Sequence, residues 1–148
     1  MRIRAITEAD FGAWLVLWKG YQAFYKIEIA SEVTQLTWQR FLDPSEPMHA
    51  AIAESDGAVV GIVHFLEHRS CSTQGDYCYL QDLYTAESMR GQGAGRALIE
   101  YVYAEATKRG CARVYWLTHE TNAQAILLYE KVADRSGFIQ YRKNLSKA

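Results

Sequence analysis

Polar and apolar residues alternate through Arg2–Ile6, which predicts a short first strand. The period then lengthens. Phe11, Trp14, Leu15, Trp18, Tyr21 and Tyr25 recur three or four positions apart, the spacing of one helix face. Thr7 with Asp10 three residues on supplies the start signal, Asp standing where a capping box usually has Glu. Gly20 is a weak point within this helix. A second helix is expected over 31–41, ending before the turn Asp43-Pro44-Ser45-Glu46-Pro47. Past that turn the period becomes that of strands. Residues 48–54 and 58–66 read as two strands joined by Ser55-Asp56-Gly57, a hairpin signal. After a polar loop comes a third long strand, residues 77–85. A glycine-rich turn, 90–95, then opens a helix to about Arg109, with Ala94, Ala97, Leu98, Tyr101 and Val102 as its inner stripe and Gly110 closing it. A strand over 112–118, a helix from Thr121 to about Val132 and a last strand over 138–142 complete the chain.

The order β-α-α-β-β-β-α-β-α-β implies one α/β domain over residues 1–148. Its sheet is expected to be mixed and six-stranded, antiparallel first and partly parallel later, flanked by about four helices.

Charge and composition narrow the function classes. The chain has 148 residues, with 16 basic against 17 acidic and a net charge of −1, so a nucleic-acid partner is disfavoured. No apolar run approaches a membrane span, and MRIRAITEAD lacks the apolar core of a secretory signal. Cys71, Cys78 and Cys111 are odd in number and form no C-x-x-C pair, which speaks against a disulfide framework or a cysteine zinc site. A cytoplasmic protein without a membrane partner is expected. His64-Phe65-Leu66-Glu67-His68 reads H-x-x-E-H, a zinc-protease pattern that needs a helix. The β-branched residues before it predict a strand, on which the histidines would stand about 13 Å apart, so no metal is expected. Aromatic residues make up 13% of the chain, ten of them Tyr and four Trp.

The segment richest in chemistry is 79–96. A loop holding Gly91, Gly93 and Gly95 between a strand and a helix can expose backbone N–H groups at the helix N-terminus, where a phosphate or pyrophosphate binds well. Side chains at Gly93 and Gly95 would block close approach, and Arg90 and Arg96 add positive charge. The dinucleotide fingerprint fails because Arg96 stands where it needs glycine, and the P-loop fails because no lysine follows the glycines. A plain chain reversal is the alternative reading.

Arg90-Gly91-Gln92-Gly93-Ala94-Gly95 resembles the Q/R-x-x-G-x-G/A loop of the GNAT N-acetyltransferase superfamily, and Asn122-x-x-Ala125-x-x-Leu128-Tyr129 resembles its second hallmark. The element order is similar over nearly the whole chain. Residues 76–84 with 114–118 look like the branch containing histone and polyamine acetyltransferases.

The resemblance implies an acetyl-CoA-dependent N-acetyltransferase acting on a primary amine, such as a polyamine, an amino acid or a drug. A lysine-directed protein acetyltransferase and a non-catalytic acyl-CoA-binding module are the alternatives. It implies that the strands over 77–85 and 112–118 splay around the pantetheine arm, which pairs with the backbone at Leu83, Tyr84 and Thr85. The pyrophosphate would sit on the N–H groups of Gln92, Gly93, Ala94, Gly95 and Arg96, beside Arg90 and Gly91, and Asn122 would meet the arm from its other side. Tyr129 stands where the family places its general acid, since a phenol can protonate a departing thiolate. Asp82 is the candidate base. In the polyamine enzymes a glutamate occupies the place of Gln81, which cannot accept a proton, and strand alternation turns residue 82 to the opposite face from 81. His119 and Glu120 are alternatives. Tyr21, Phe24, Tyr25 and Glu28 fall in the region that borders the family's acceptor site, where aromatic faces and a carboxylate suit a cationic amine. Trp14, Trp18 and Tyr101 read as core. The branch also implies a homodimer, through the short strand over 138–142.

Overall fold

Residues 1–146 are described by the structure, a computed structural model. The opening alternation forms β1 (Arg2–Ala5), and a single 3-10 turn at Glu8–Asp10 leads into α1 (Phe11–Phe24). Then follow α2 (Ser31–Leu42), β2 (Met48–Ser55), β3 (Ala58–His68) and β4 (Tyr77–Thr85). The chain continues through α3 (Ala94–Lys108), β5 (Arg113–Tyr115) and α4 (Ala123–Val132). By packing, the chain falls into two compact units, Met1–Trp116 and the part from Leu117 onward.

In the first unit the strands lie in the order β1-β2-β3-β4-β5. The first four are antiparallel neighbours, and β5 joins β4 in parallel through the α3 crossover. The sheet is therefore mixed, as expected, but it has five strands among the described residues where six were expected. Residues 138–142 form no strand, and β5 is shorter than the expected 112–118.

β2 and β3 run through the middle and are buried on both faces, which is why their apolar runs are nearly continuous. One face packs against α1 and α2, where Trp14, Leu17, Trp18 and Trp38 close over Ile52 and Ile62. The other face meets α3, whose Leu98, Ile99 and Val102 are fully buried. Gly61 of β3 faces Leu98 so closely that a Cβ there would stand 3.0 Å from its side chain. Among the described residues no helix is long and apolar enough to cross a membrane.

The capping residues named from sequence have a second task. Asp10 accepts from the Thr7 N–H at 2.7 Å and takes both terminal nitrogens of Arg4 at 2.8 Å each. Arg4 also donates Nε to Glu54 at 2.6 Å, so one guanidinium ties β1 to the 3-10 turn and to β2. These bonds hold the Asp10 carboxyl at about 2, below its ordinary 3.8. A depressed carboxyl binds its proton less readily folded than unfolded. Its contribution is complete above the unfolded value of 3.8 and fades as pH falls toward 2. Replacing Arg4 with Met is expected to lower stability at neutral pH by about 2 kcal/mol. It should also flatten the loss of stability between the two pKa values, as read by urea melts at stepped pH. Melts that fall in parallel with the wild type would remove this role.

Candidate active site

Two features of β4 define the site in the first unit. The parallel pairing with β5 covers only Tyr77 to Tyr79, opposite Arg113 to Tyr115. From Leu80 to Thr85 that edge of β4 has no strand partner among the described residues, which suits it to pairing with an extended ligand. Leu83, Tyr84 and Thr85 lie on this stretch, as the sequence implies.

The second feature corrects the sequence reading. On the β3 side, Leu80 pairs with Phe65 and Asp82 with His64, leaving Gln81 as an extra residue in a bulge. Regular alternation would put residues 80 and 82 on one face, with 81 opposite. Instead the bulge turns Asp82 onto the α1 and α2 face, the one that also carries Tyr79 and Tyr84. Gln81 itself is exposed. Asp82 thus occupies the face that an unbroken strand would give to residue 81.

Around Asp82 the polar contacts run inward. Its Oδ2 lies 3.0 Å from His64 Nδ1. Trp14 donates its Nε1–H to His64 Nε2 at 2.9 Å. The Tyr21 hydroxyl also hydrogen-bonds Asp82, and burial together with that carboxylate pushes the phenol far above its ordinary value, so it stays protonated and donates. Trp18 Nε1 in the same cluster is buried without a partner, a deficit of about 1–3 kcal/mol. The rings of Trp18 and Tyr21 stack at 4.9 Å, and Tyr21 meets Tyr25 at 4.7 Å.

Gly20 allows this close approach. A Cβ there would fall 2.8 Å from the Tyr84 hydroxyl and 2.9 Å from its ring. Read from sequence as a weak point of α1, it is the place where α1 admits the Tyr84 ring.

The glycine loop has the conformation that its composition implies. Gly91 and Gly93 sit at φ +78° and +88°, where side chains are strained, and Gly93 caps α3. The first N–H groups of α3, at Ala94, Gly95 and Arg96, are therefore presented at the end of the helix without intrahelical acceptors. No protein atom crowds Gly91 or Gly93, so within the protein their need is conformational. Arg90 does more than add charge. Its guanidinium lies over the Phe24 ring at 4.7 Å and the Tyr84 ring at 5.5 Å, and its Nε donates to the Thr85 carbonyl at 3.3 Å. Arg96 pairs with Glu100 at 3.0 Å on the surface of α3, and Gln92 is exposed between the glycines.

Of the sequence candidates, the structure brings together Tyr21, Phe24, Tyr25, Asp82, Tyr84 and Arg90. Glu28 lies exposed between α1 and α2. Asn122 and Tyr129 belong to the second unit. There Asn122 stands just before α4, with its carbonyl accepting from the Ile126 N–H at 3.0 Å. Tyr129 follows seven residues later, two turns along the same face. Also in this unit, His119 turns its Nδ1 onto the Thr121 hydroxyl at 2.7 Å, and Glu120 is exposed.

Trp14 is core, as read from sequence, but sequence reasoning missed that it bonds His64, that His64 meets Asp82, and that Gly20 receives Tyr84. His64 and His68 are on a strand, as expected, and each has its own partners. His68 reaches the Tyr115 hydroxyl at 2.7 Å. The signal available for His64 was its parity, since 62, 64 and 66 alternate onto the α1 face.

Comparison with known proteins adds a family assignment. A model described as the acetyltransferase (GNAT) family matches residues 11–133. The chain is 39% identical over 144 residues to the D-amino-acid N-acetyltransferase HPA3 of Saccharomyces cerevisiae, covering 96% of this chain and 89% of the relative. It is 24% identical over 157 residues to a thialysine N-epsilon-acetyltransferase of Mus musculus, covering 95% and 91%. A solved probable acetyltransferase superposes with a TM-score of 0.88 at 22% identity, each chain covered completely. The structure of AAC(6')-Iy with a CoA bisubstrate analog superposes at 0.83 and 19% identity, with 97% of each chain covered.

Replacing Gly20 with Ala is expected to displace the Tyr84 ring. The helix should gain up to about 1 kcal/mol in propensity. Affinity for CoA should nevertheless fall severalfold in calorimetry while the melting temperature holds. Unchanged CoA binding would detach Tyr84 from the cofactor side of the site.

Proposed function

Given that the chain belongs to the acetyltransferase (GNAT) family, we propose which residues perform its reaction and which amine it takes. The protein is an N-acetyltransferase that moves the acetyl group of acetyl-CoA onto an amine. The co-substrate supplies an acetyl thioester, and the chain's residues bind it, orient the amine and move two protons. The residues present suit such a ligand. The bare edge at Leu83, Tyr84 and Thr85 offers backbone partners to the pantetheine amides. The N–H groups from Gln92 to Arg96, behind Gly91 and Gly93, suit the pyrophosphate. Asn122 serves as a further contact to the arm.

The observation that carries the mechanism is the bulge at Gln81. It turns Asp82 toward α1 just where β4 has lost its β5 partner. An amine near this point must shed a proton before it can attack, and Asp82 takes it. The departing thiolate takes a proton from the Tyr129 hydroxyl. The bulge thereby answers the absence of a carboxylate at Gln81.

For the acceptor we favour a free amino acid over a polyamine or a protein lysine. The relatives are named for D-amino acids, for L-ornithine in Arabidopsis thaliana and for thialysine, each an amino-acid acceptor. The Tyr21 and Tyr25 rings suit its ammonium group.

A homodimer and a cytoplasmic setting complete the proposal. The segment over 138–145 carries Phe138, Ile139, Tyr141 and Leu145 at 76–91% exposure. β5 is an outer strand of the sheet. Apolar residues so exposed, together with an open sheet edge, favour association with a second copy.

Free CoA released from acetyl-CoA is expected with D- or L-amino acids. The rate should be at least about 10-fold above that with spermidine or a histone-tail peptide. A preference for the peptide or the polyamine would overturn the acceptor assignment. Tyr129→Phe should lower kcat by about 100-fold while CoA affinity stays within a factor of about two. Retained turnover would dismiss Tyr129 as the acid, and no turnover on any amine by the wild type would leave a binding module. Sedimentation at micromolar concentration should give a dimer, and a chain ending at residue 133 a monomer. A wild-type monomer would end the dimer proposal.

A further inference from the structure

A tryptophan and a carboxylate flank the buried His64 in a way that fixes its tautomer. The side chain is 4% exposed, and its ring packs against Trp18 at 4.7 Å and Phe41 at 4.8 Å. An indole nitrogen can only donate, so the 2.9 Å bond from Trp14 requires a lone pair on His64 Nε2. The ring's one proton is then on Nδ1, where it donates to Asp82 Oδ2 at 3.0 Å. Both nitrogens are engaged, one inward and one toward the carboxylate. His64 therefore has no face left for an acceptor amine and is not itself the base.

We propose that His64 is a positioning residue. Held in its Nδ1–H tautomer by Trp14, it fixes the Asp82 carboxylate against the α1 face, so that the second carboxylate oxygen can meet the incoming amine. This inference rests on Asp82 as the proton acceptor. Tyr21 is a further donor to that carboxylate. Since Asp82 sits beside a bulge, where ladder pairing is interrupted, the backbone alone orients its side chain less firmly than in a regular strand. His64 and Tyr21 supply the missing constraint. Misplacing a reacting group by an ångström lowers rates by up to about 100-fold, so the effect belongs in kcat and not in amine binding.

The test exploits the different reach of two amides. Asn at position 64 places an amide near the Nδ1 position and can donate to Asp82, whereas Gln reaches toward Nε2 and can accept from Trp14. At saturating acetyl-CoA, His64→Leu and His64→Gln are expected to lower kcat by about 10-fold or more. His64→Asn should recover it to within about threefold, and the amine KM should move little in all three. A purely structural histidine would instead be rescued by Gln, which satisfies the buried indole. Equal kcat in the Asn and Gln variants would overturn the proposal. Nitrogen-15 spectra of histidine-labelled wild type should show His64 as the neutral Nδ1–H tautomer, turning to a mixture in Trp14→Phe. A wild-type Nε2–H tautomer or an imidazolium would overturn it without any variant having to fold. Asp82→Asn separates the two readings. Loss of turnover there with normal His64 variants removes only the positioning role, while normal turnover in Asp82→Asn removes the base itself.

Discussion

A single extra residue in β4 determines which side of the sheet the Asp82 carboxylate occupies. With unbroken pairing, Asp82 would follow Leu80 toward α3 and into apolar packing. There an ionised carboxylate would have no partner, a large desolvation penalty. The slip at Gln81 places it opposite His64 instead, on the face closed by α1 and α2. Only there does it find a ring N–H and a phenol. The bulge falls two residues past the last β4–β5 pair. The point where the strand turns its carboxylate is thus next to the point where it opens its backbone. A ligand paired along that edge would pass the Asp82 carboxylate without any loop having to move it there.

The α1 helix is fitted to this face by polar as well as apolar contacts. Three tryptophans and the isoleucines of β2 and β3 make the bulk of the core, which is non-directional and tolerates small rotations of the helix. The Trp14 indole and the gap at Gly20 do not. The first requires Nε1 within reach of His64, and the second leaves room for Tyr84 at one position along the helix only. A buried hydrogen bond and a missing Cβ together set rotation and height. Tyr21 then stands over Asp82, and Phe24 over Arg90, as a consequence of helical spacing.

Much of this was legible in the residues. Periods of two and of three to four gave the four helices and the first four strands to within a few positions, because each element buries one coherent face. The glycine loop was legible because φ near +80° admits few other residues. What failed was the inference from alternation alone. Phe138, Ile139 and Tyr141 read as a strand, yet a strand also needs a neighbour to accept its backbone bonds, and sequence does not show one. Gln81 carries no mark of a bulge, since glycine is not required there, so the face of Asp82 was read one step out. His64 was read through the spacing of a metal motif. Its partners lie 18 and 50 positions away, and a contact between elements leaves no local pattern.

In the proposed mechanism recognition and proton transfer share residues, which limits how the specificity of the site can be changed. Tyr21 is both a wall and a donor. Its ring stacks on Trp18 and meets Tyr25 at a tilt while its hydroxyl holds Asp82, so altering the wall also loosens the carboxylate. Phe24 is tied in the same way to the cofactor side, because its ring carries the Arg90 guanidinium that also spans Tyr84 and the Thr85 carbonyl. Tyr25 stands between them at the C-terminal end of α1, where the helix closes and its own N–H still returns to the Tyr21 carbonyl at 3.0 Å. It touches the rings of both neighbours. The aromatic excess of the chain is in part the signature of that arrangement, a row of rings that runs from Trp18 in the core through Tyr21 at the Asp82 carboxylate to Phe24 under the Arg90 guanidinium.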